Sequence, residues 1–247
     1  MCCFSQEVEY VAGTNIFARP AKSGGQFLVY SMTLKAKSDL SMILPIPTPK
    51  ASKEDAVNFI NLEKYADFFD DMRKGFPEPV VKSRGPALGG APTPKPEPKL
   101  VVVEVGSFVA SFVPTVKDFS RLDEQFKLPE GTWDKLPQYK EYGFAVFKLK
   151  KGEHKVHPMA FEFPRADKSK LFFPTVHIHD GKVHERANFD HALFCQEADT
   201  QMKWRESPQP AQFFMKKADQ AQGIVNTKGH VYRLQMVGTY KNDDIWV

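Results

Sequence analysis

The chain opens Met-Cys-Cys-Phe-Ser, which places two of its three cysteines side by side. A small residue at position 2 normally permits removal of Met1, which would leave Cys2 with a free α-amine beside its thiol. The amine titrates near about 8 and an ordinary thiol near about 8.5, so both deprotonate close to neutral pH. Together they can chelate a soft metal, with Cys3 as a further thiolate. Alternatively, the amine can serve as base for its own thiol, as in N-terminal-nucleophile hydrolases. The plainer alternative makes Cys2 and Cys3 small apolar residues at the start of a strand.

The third cysteine closes a stretch rich in histidine, "HIHDGKVHERANFDHALFC", residues 177–195. His177 and His179 are spaced i, i+2, so on a strand both rings project from one face, as a chelating pair would. His184 follows an Asp-Gly turn that would fold the next strand back on that pair. His191 and Cys195, spaced i, i+4, share a face if "FDHALFC" is helical. Imidazole and thiolate together suit zinc or copper and fit magnesium or calcium poorly. Asp180 and Asp190 would orient ring N–H groups from behind. The expected metal set is therefore Cys2, Cys3, His177, His179, His184, His191 and Cys195, with Cys2 also the candidate catalytic nucleophile. Packed or surface histidines, or acid–base work, are the alternatives for the pair. His154 and His157 sit among lysines and read as solvent-exposed, and His230 is a spare imidazole on a late strand.

Other templates do not fit. Neither "GTNIFAR" nor "KSGGQ" is a phosphate loop. Gly-X-Ser-X-Gly and His-Glu-X-X-His are absent from the sequence. The opening has a superficial likeness to N-terminal-nucleophile amidohydrolases, in which an early arginine binds substrate, and Arg19 would take that role.

These side chains need elements to position them, and the composition allows a substantial core. The 247 residues are 42% hydrophobic and 26% charged, and they include 21 Phe. Those values are ordinary for a globular protein, and so much Phe suits an aromatic-packed, β-rich interior. The net charge of +4 is small and unclustered, which argues against nucleic acid as a partner. "KLKKGEHK" (148–155) is the densest basic spot and reads as a solvated hairpin tip. No apolar run approaches the roughly 18 residues of a membrane span, and no secretory signal pattern is visible. With three cysteines, two adjacent, there is no disulfide framework, so the expectation is a cytoplasmic protein with reduced thiols.

Residues 25–36 and 41–49 read as strands, the second stopped by proline. Residues 52–76 show a helical pattern with Ser52 as N-cap, Asp55 at the capping-box position and Gly75 with Pro77 at the end. The stretch 82–99, "KSRGPALGGAPTPKPEPK", is too rich in Pro and Gly for helix or central strand and reads as a linker or surface loop. Beyond it come a strand pair broken at Gly106 (99–115), short helices at 116–126 and 136–143, and a hairpin turning at Lys151-Gly152 (143–164). A strand–turn–strand unit (170–195), a helix (210–225) and final strands (229–247) complete the chain. The expected fold is a single α+β domain, 1–247, with a β-rich mixed or antiparallel sheet core, a few short helices and a Pro-rich surface insertion.

The segments "MCCF", "MILPIPTP", "VEVGSF", "YGFAVFKLK" and "HPMAFEF" resemble, in the same order, features of the bacterial DUF2330 family, a domain of unknown function. The resemblance implies one continuous fold and no particular activity.

Three functional expectations follow. The first is a metal-binding protein, for zinc or copper, with a metalloenzyme acting on an unknown small molecule as its catalytic form. The second is a cysteine amidohydrolase using Cys2. The third is a non-enzymatic interaction module, whose "PTPKP" in the Pro-rich segment 92–98 has Pro-X-X-Pro spacing and would contact a protein partner. Neither nucleic acid nor membrane is expected as a partner.

Overall fold

The structure, a computed structural model, describes residues 2–77, 102–105, 108–122, 128, 131–155, 157–178, 182–200 and 203–247. Strand is the predominant regular structure among the described residues. In order the elements are β1 (Cys2–Phe4), β2 (Tyr10–Pro20), β3 (Gly25–Ala36), β4 (Leu40–Ile46), β5 (Asn58–Asn61) and helix α1 (Phe68–Lys74). Then come β6 (Val102–Val105), β7 (Phe108–Val113), β8 (Gly143–Leu149), β9 (Gly152–Lys155) and β10 (Met159–Pro164). The last are β11 (Phe172–Phe173), β12 (His177–Ile178), β13 (Arg186–Cys195), β14 (Arg205–Glu206), β15 (Tyr232–Lys241) and β16 (Ile245–Trp246).

Two sheets hold nearly all of these strands. The first runs β12-β1-β4-β8-β7-β6 and the second β14-β15-β13-β2-β3-β10-β5, with β9 also paired to β3. Both are mixed, since β1 is parallel to β12 and β13 is parallel to β2 among otherwise antiparallel neighbours. Strand β3 shows why the sheets stack. Leu28, Tyr30, Met32 and Leu34 alternate onto the face that meets the first sheet, against Met42, Leu44 and Phe147. Val29 points the other way, toward Phe68, Phe69 and Met72 of α1. With both faces covered, β4 is buried along its whole length. A third cluster, Cys3, Ile43, Phe144 and Ile178 with Phe119, Leu136 and Tyr139, seals the outer face of the first sheet beneath 3-10 turns. The fold is therefore a β-rich α+β domain with short helical segments, in agreement with the sequence.

Several boundaries move. Residues 58–61, expected within a helix, form a strand pairing with Met159–Glu162, because the edge of β10 needs a partner and Ile60 is buried there. Ser52 donates its hydroxyl to Pro49 O in a turn and caps no helix. Only 68–74 is α-helical, ending at Gly75 where the sequence signalled a stop. The expected hairpin at 143–164 does not form: β8 pairs with β4 in the first sheet, whereas β9 and β10 pair with β3 in the second. The helix expected over 210–225 is two separate 3-10 turns. Gly106, Asp180 and the stretch 82–99 lie outside the described residues.

Candidate functional site

The residues singled out by chemistry are distributed over both sheets. Strand β1 runs parallel to β12, with Cys2 in register with His177 and Cys3 with Ile178. The N-terminal cysteines and the first histidine thus lie on adjacent strands of one sheet edge. Strand β13, which carries His191 and Cys195, belongs to the other sheet and pairs with β2 and β15. The strand after the Asp-Gly dipeptide therefore does not fold back on His177 as a hairpin partner.

His177 and His191 nevertheless meet across the gap between the sheets. Their Nε2 atoms are 3.1 Å apart, so one ring donates its N–H to the lone pair of the other. Phe189 packs against both rings, at 4.5 Å from His177 and 5.2 Å from His191. His191 is only 1% exposed. Asn242 holds the His177 backbone on both sides, accepting from its N–H at 2.7 Å and donating to its carbonyl at 2.9 Å. The same Asn242 amide donates to His184 O at 3.0 Å, while the His184 side chain is exposed on the connection to β13. His179 lies outside the described residues.

Cys195 follows His191 along a strand and not a helix. Four residues of strand separate them by about 13 Å, too far for one metal ion. Cys195 is fully buried in the intersheet core, and burial pushes its thiol far above the ordinary range, which keeps it protonated. Cys3 is equally buried, in the outer cluster of the first sheet with Ile43 and Phe144. Among the described residues no group of three or more His, Cys, Asp or Glu is arranged to hold a metal ion.

The remaining candidates are structural ties. Arg19 is 7% exposed; its guanidinium donates to Ile224 O at 2.7 Å and Gly223 O at 2.6 Å, reaches Glu197 at 3.4 Å and lies over the Phe27 ring. It fastens the C-terminal turns to the second sheet. His157 stacks on Phe108 at 4.2 Å, and burial lowers its proton affinity. His230 Nδ1 lies 2.7 Å from Ser207 O.

The sequence did not point to a cleft of about 500 Å³ on the outer face of the second sheet, lined by Asn15, Asp70, Arg73, Phe76, Asp190 and Arg233 among others. It opens where β2 bulges between Ala12 and Asn15, with Gly13 at φ 58°. The Gly13 N–H donates to Asp190 Oδ2 at 3.0 Å. Arg73 donates to Asp70 at 2.6 Å and to Asn15 at 2.9 Å, and Arg233 lies over the Phe76 ring. A lone Gly inside an apolar run was the one local sign of the bulge. The cleft is polar and internally paired, and it places no nucleophile beside a base.

The site and the scaffold thus define a β-rich α+β protein with Cys3 and Cys195 buried and no metal-holding group among the described residues. Solved structures carry the same architecture. The chain is similar to a mutated baculovirus P35 solved after caspase cleavage, with TM-score 0.51 and 12% identity over 95% of this chain and 98% of that one. It is also similar to P35 in the crystal structure of the caspase-8/P35 complex, with TM-score 0.50 and 12% identity over 95% of each chain. No family model and no curated protein matches the sequence. The fold is shared nearly end to end. The expectation of a zinc- or copper-binding protein is overturned by the lack of any group of three or more metal-ligating side chains among the described residues, with Cys3 and Cys195 buried in separate apolar clusters, together with this fold likeness. No helix among the described residues is long and apolar enough to cross a membrane.

Proposed function

We propose that this chain is a non-enzymatic protein that binds and inhibits a cysteine protease of the caspase class. The observation that carries the reading is the similarity of 95% of the chain to a protein solved in complex with caspase-8. The buried state of Cys3 and Cys195 supports it, because it removes two of the three thiols from chemistry at the surface. So does the commitment of Arg19 to backbone carbonyls, since an amidohydrolase would need that side chain at its substrate.

The Pro-rich segment 92–98 is the part of the chain proposed to contact the partner. Proline-rich sequence loses little entropy on docking. The flanking chain is firmly held: Phe76 before it and Val105 after it are each 2% exposed, and Arg205 donates to Pro77 O at 3.1 Å. A partner pulling on the segment would therefore load the core and not a loose end.

The test mixes the full chain with active caspase-8 and follows the mixture by size-exclusion chromatography. A stable co-eluting complex with loss of peptidase activity is expected, and a variant lacking residues 84–98 should fold but no longer co-elute. Separate elution of the two intact proteins at micromolar concentration overturns the proposal.

A further inference from the structure

The cleft on the outer face of the second sheet brings together two guanidiniums from distant elements, Arg73 of α1 and Arg233 of β15. Its volume of about 500 Å³ lies within the range of about 300–1,000 Å³ usual for ligand pockets, more than a single ion needs and enough for a short peptide segment. Both arginines are positioned by the protein itself. Arg73 gives one terminal nitrogen to Asp70 Oδ1 at 2.6 Å and the other to Asn15 Oδ1 at 2.9 Å. Arg233 lies 5.1 Å over the centre of the buried Phe76 ring. A guanidinium carries five N–H donors around one plane, so pairing with two acceptors or stacking on a ring orients the fork and still presents N–H groups to a ligand.

A third arginine adds to the field. Arg205 of β14 stands directly opposite Arg233 across the strand pair and donates to the carbonyl of Pro77, which also lines the cleft. Like charges directly opposite on paired strands repel, and an anion beside them relieves that repulsion. The lining also selects among anions. Asp70 and Asp190 share the cleft, Asp70 paired with Arg73 and Asp190 accepting from the Gly13 N–H at 3.0 Å, while Lys74 donates to Asp71. Two carboxylates in the wall repel a ligand of several negative charges, such as a phosphate, more than they repel a single carboxylate. Around the arginines, Thr14, Asn15 and Gln235 supply the hydroxyl and amide groups that suit the alternating donors and acceptors of a peptide backbone.

We propose that this cleft binds a short peptide segment of a partner protein that carries one acidic side chain, its carboxylate held by Arg73 and Arg233. The fixed forks give the carboxylate two planar donors at little ordering cost, because the side chains that make them are already held. The partner is defined by that segment and not by protease activity.

The test titrates the isotope-labelled full chain, followed by NMR, with the peptide acetyl-Ala-Glu-Ala-amide, and separately with acetyl-Ala-Gln-Ala-amide and inorganic phosphate. The Glu peptide should give saturable shifts at millimolar concentration, centred on the Gly13 and Gln235 amides and on the arginine side-chain N–H signals. The Gln peptide should bind at least about tenfold more weakly, and Arg233→Gln should weaken binding of the Glu peptide about tenfold, the factor that one hydrogen bond to a charged group supplies. Equal binding of the two peptides overturns the proposal, as does an absence of saturable shifts, shifts confined to another surface, or tighter binding of phosphate than of the Glu peptide. Should Arg233→Gln fail to fold, the comparison of the Glu and Gln peptides on the unaltered chain decides alone.

Discussion

Replacing Asp71 with alanine isolates the contact that ties α1 to the C-terminal turns. The carboxylate is 3% exposed. Its Oδ2 accepts from Tyr65 Oη at 2.9 Å and from the Lys216 N–H at 3.1 Å, and its Oδ1 accepts from Lys74 Nζ at 2.6 Å. Burial alone would raise its proton affinity, yet the bonds from Lys74, Tyr65 and Lys216 outweigh that and hold it below the usual carboxylate range. In Asp71→Ala, the buried Tyr65 hydroxyl and the Lys216 N–H both lose their acceptor. At about 1–3 kcal/mol for each of the two donors left without a partner, the loss should be about 2–6 kcal/mol. The exposed end of Lys74 adds little, because water replaces its partner. Urea denaturation followed by tryptophan fluorescence measures this directly, as a lower midpoint at unchanged slope. The pH dependence has a definite sign. A carboxyl held below its unfolded value of about 3.9 contributes stability above that pH and loses it as pH falls further, so Asp71→Asn should flatten the acid limb below about pH 4. A loss below about 1 kcal/mol in Asp71→Ala would mean that water reaches the two donors and that the burial argument is wrong.

Two further perturbations probe the core. Native protein should leave Cys195 unmodified by a thiol reagent at pH 8 while unfolded protein reacts fully, and modification of the native thiol within minutes, read by peptide mass, would refute its placement between the sheets. Gly143→Ala should destabilise by about 1–3 kcal/mol, because the added Cβ would sit 2.5 Å from Phe112 Cε2 and 2.8 Å from Thr48 Oγ1; a neutral change in melting would show that Phe112 can yield.

How much of this was legible in the sequence depended on whether the signal was local. Residues 25–36 read correctly as a strand because their apolar alternation is strong and both faces are buried, so β3 matches that span. Strand β2, at the centre of the second sheet, went unread, since Gly13, Thr14 and Asn15 interrupt its pattern at the bulge. The helical spacing over 52–76 was real only from Phe68 onward. Upstream, sheet pairing to β10 overrode it, which is a tertiary effect invisible to periodicity. The His-rich stretch drew attention to His177 and His191 for sound chemical reasons, and the structure does bring them together. What the spacing could not say is that they come from different sheets, with β13 extended. The i, i+4 spacing of His191 and Cys195 suggested a helix, and in a strand the same spacing puts the two residues far apart. The cleft around Arg73 and Arg233 draws on four distant segments, so no local pattern could announce it.

The most direct measurement of the central claim is an active-site titration: a fixed amount of caspase-8 is incubated with increasing amounts of the full chain, and residual peptidase activity is read. Activity should fall in proportion to added protein and reach zero near one chain per active site, with the chain lacking residues 84–98 leaving activity intact. Full activity at a tenfold excess of the intact, folded chain would contradict the account.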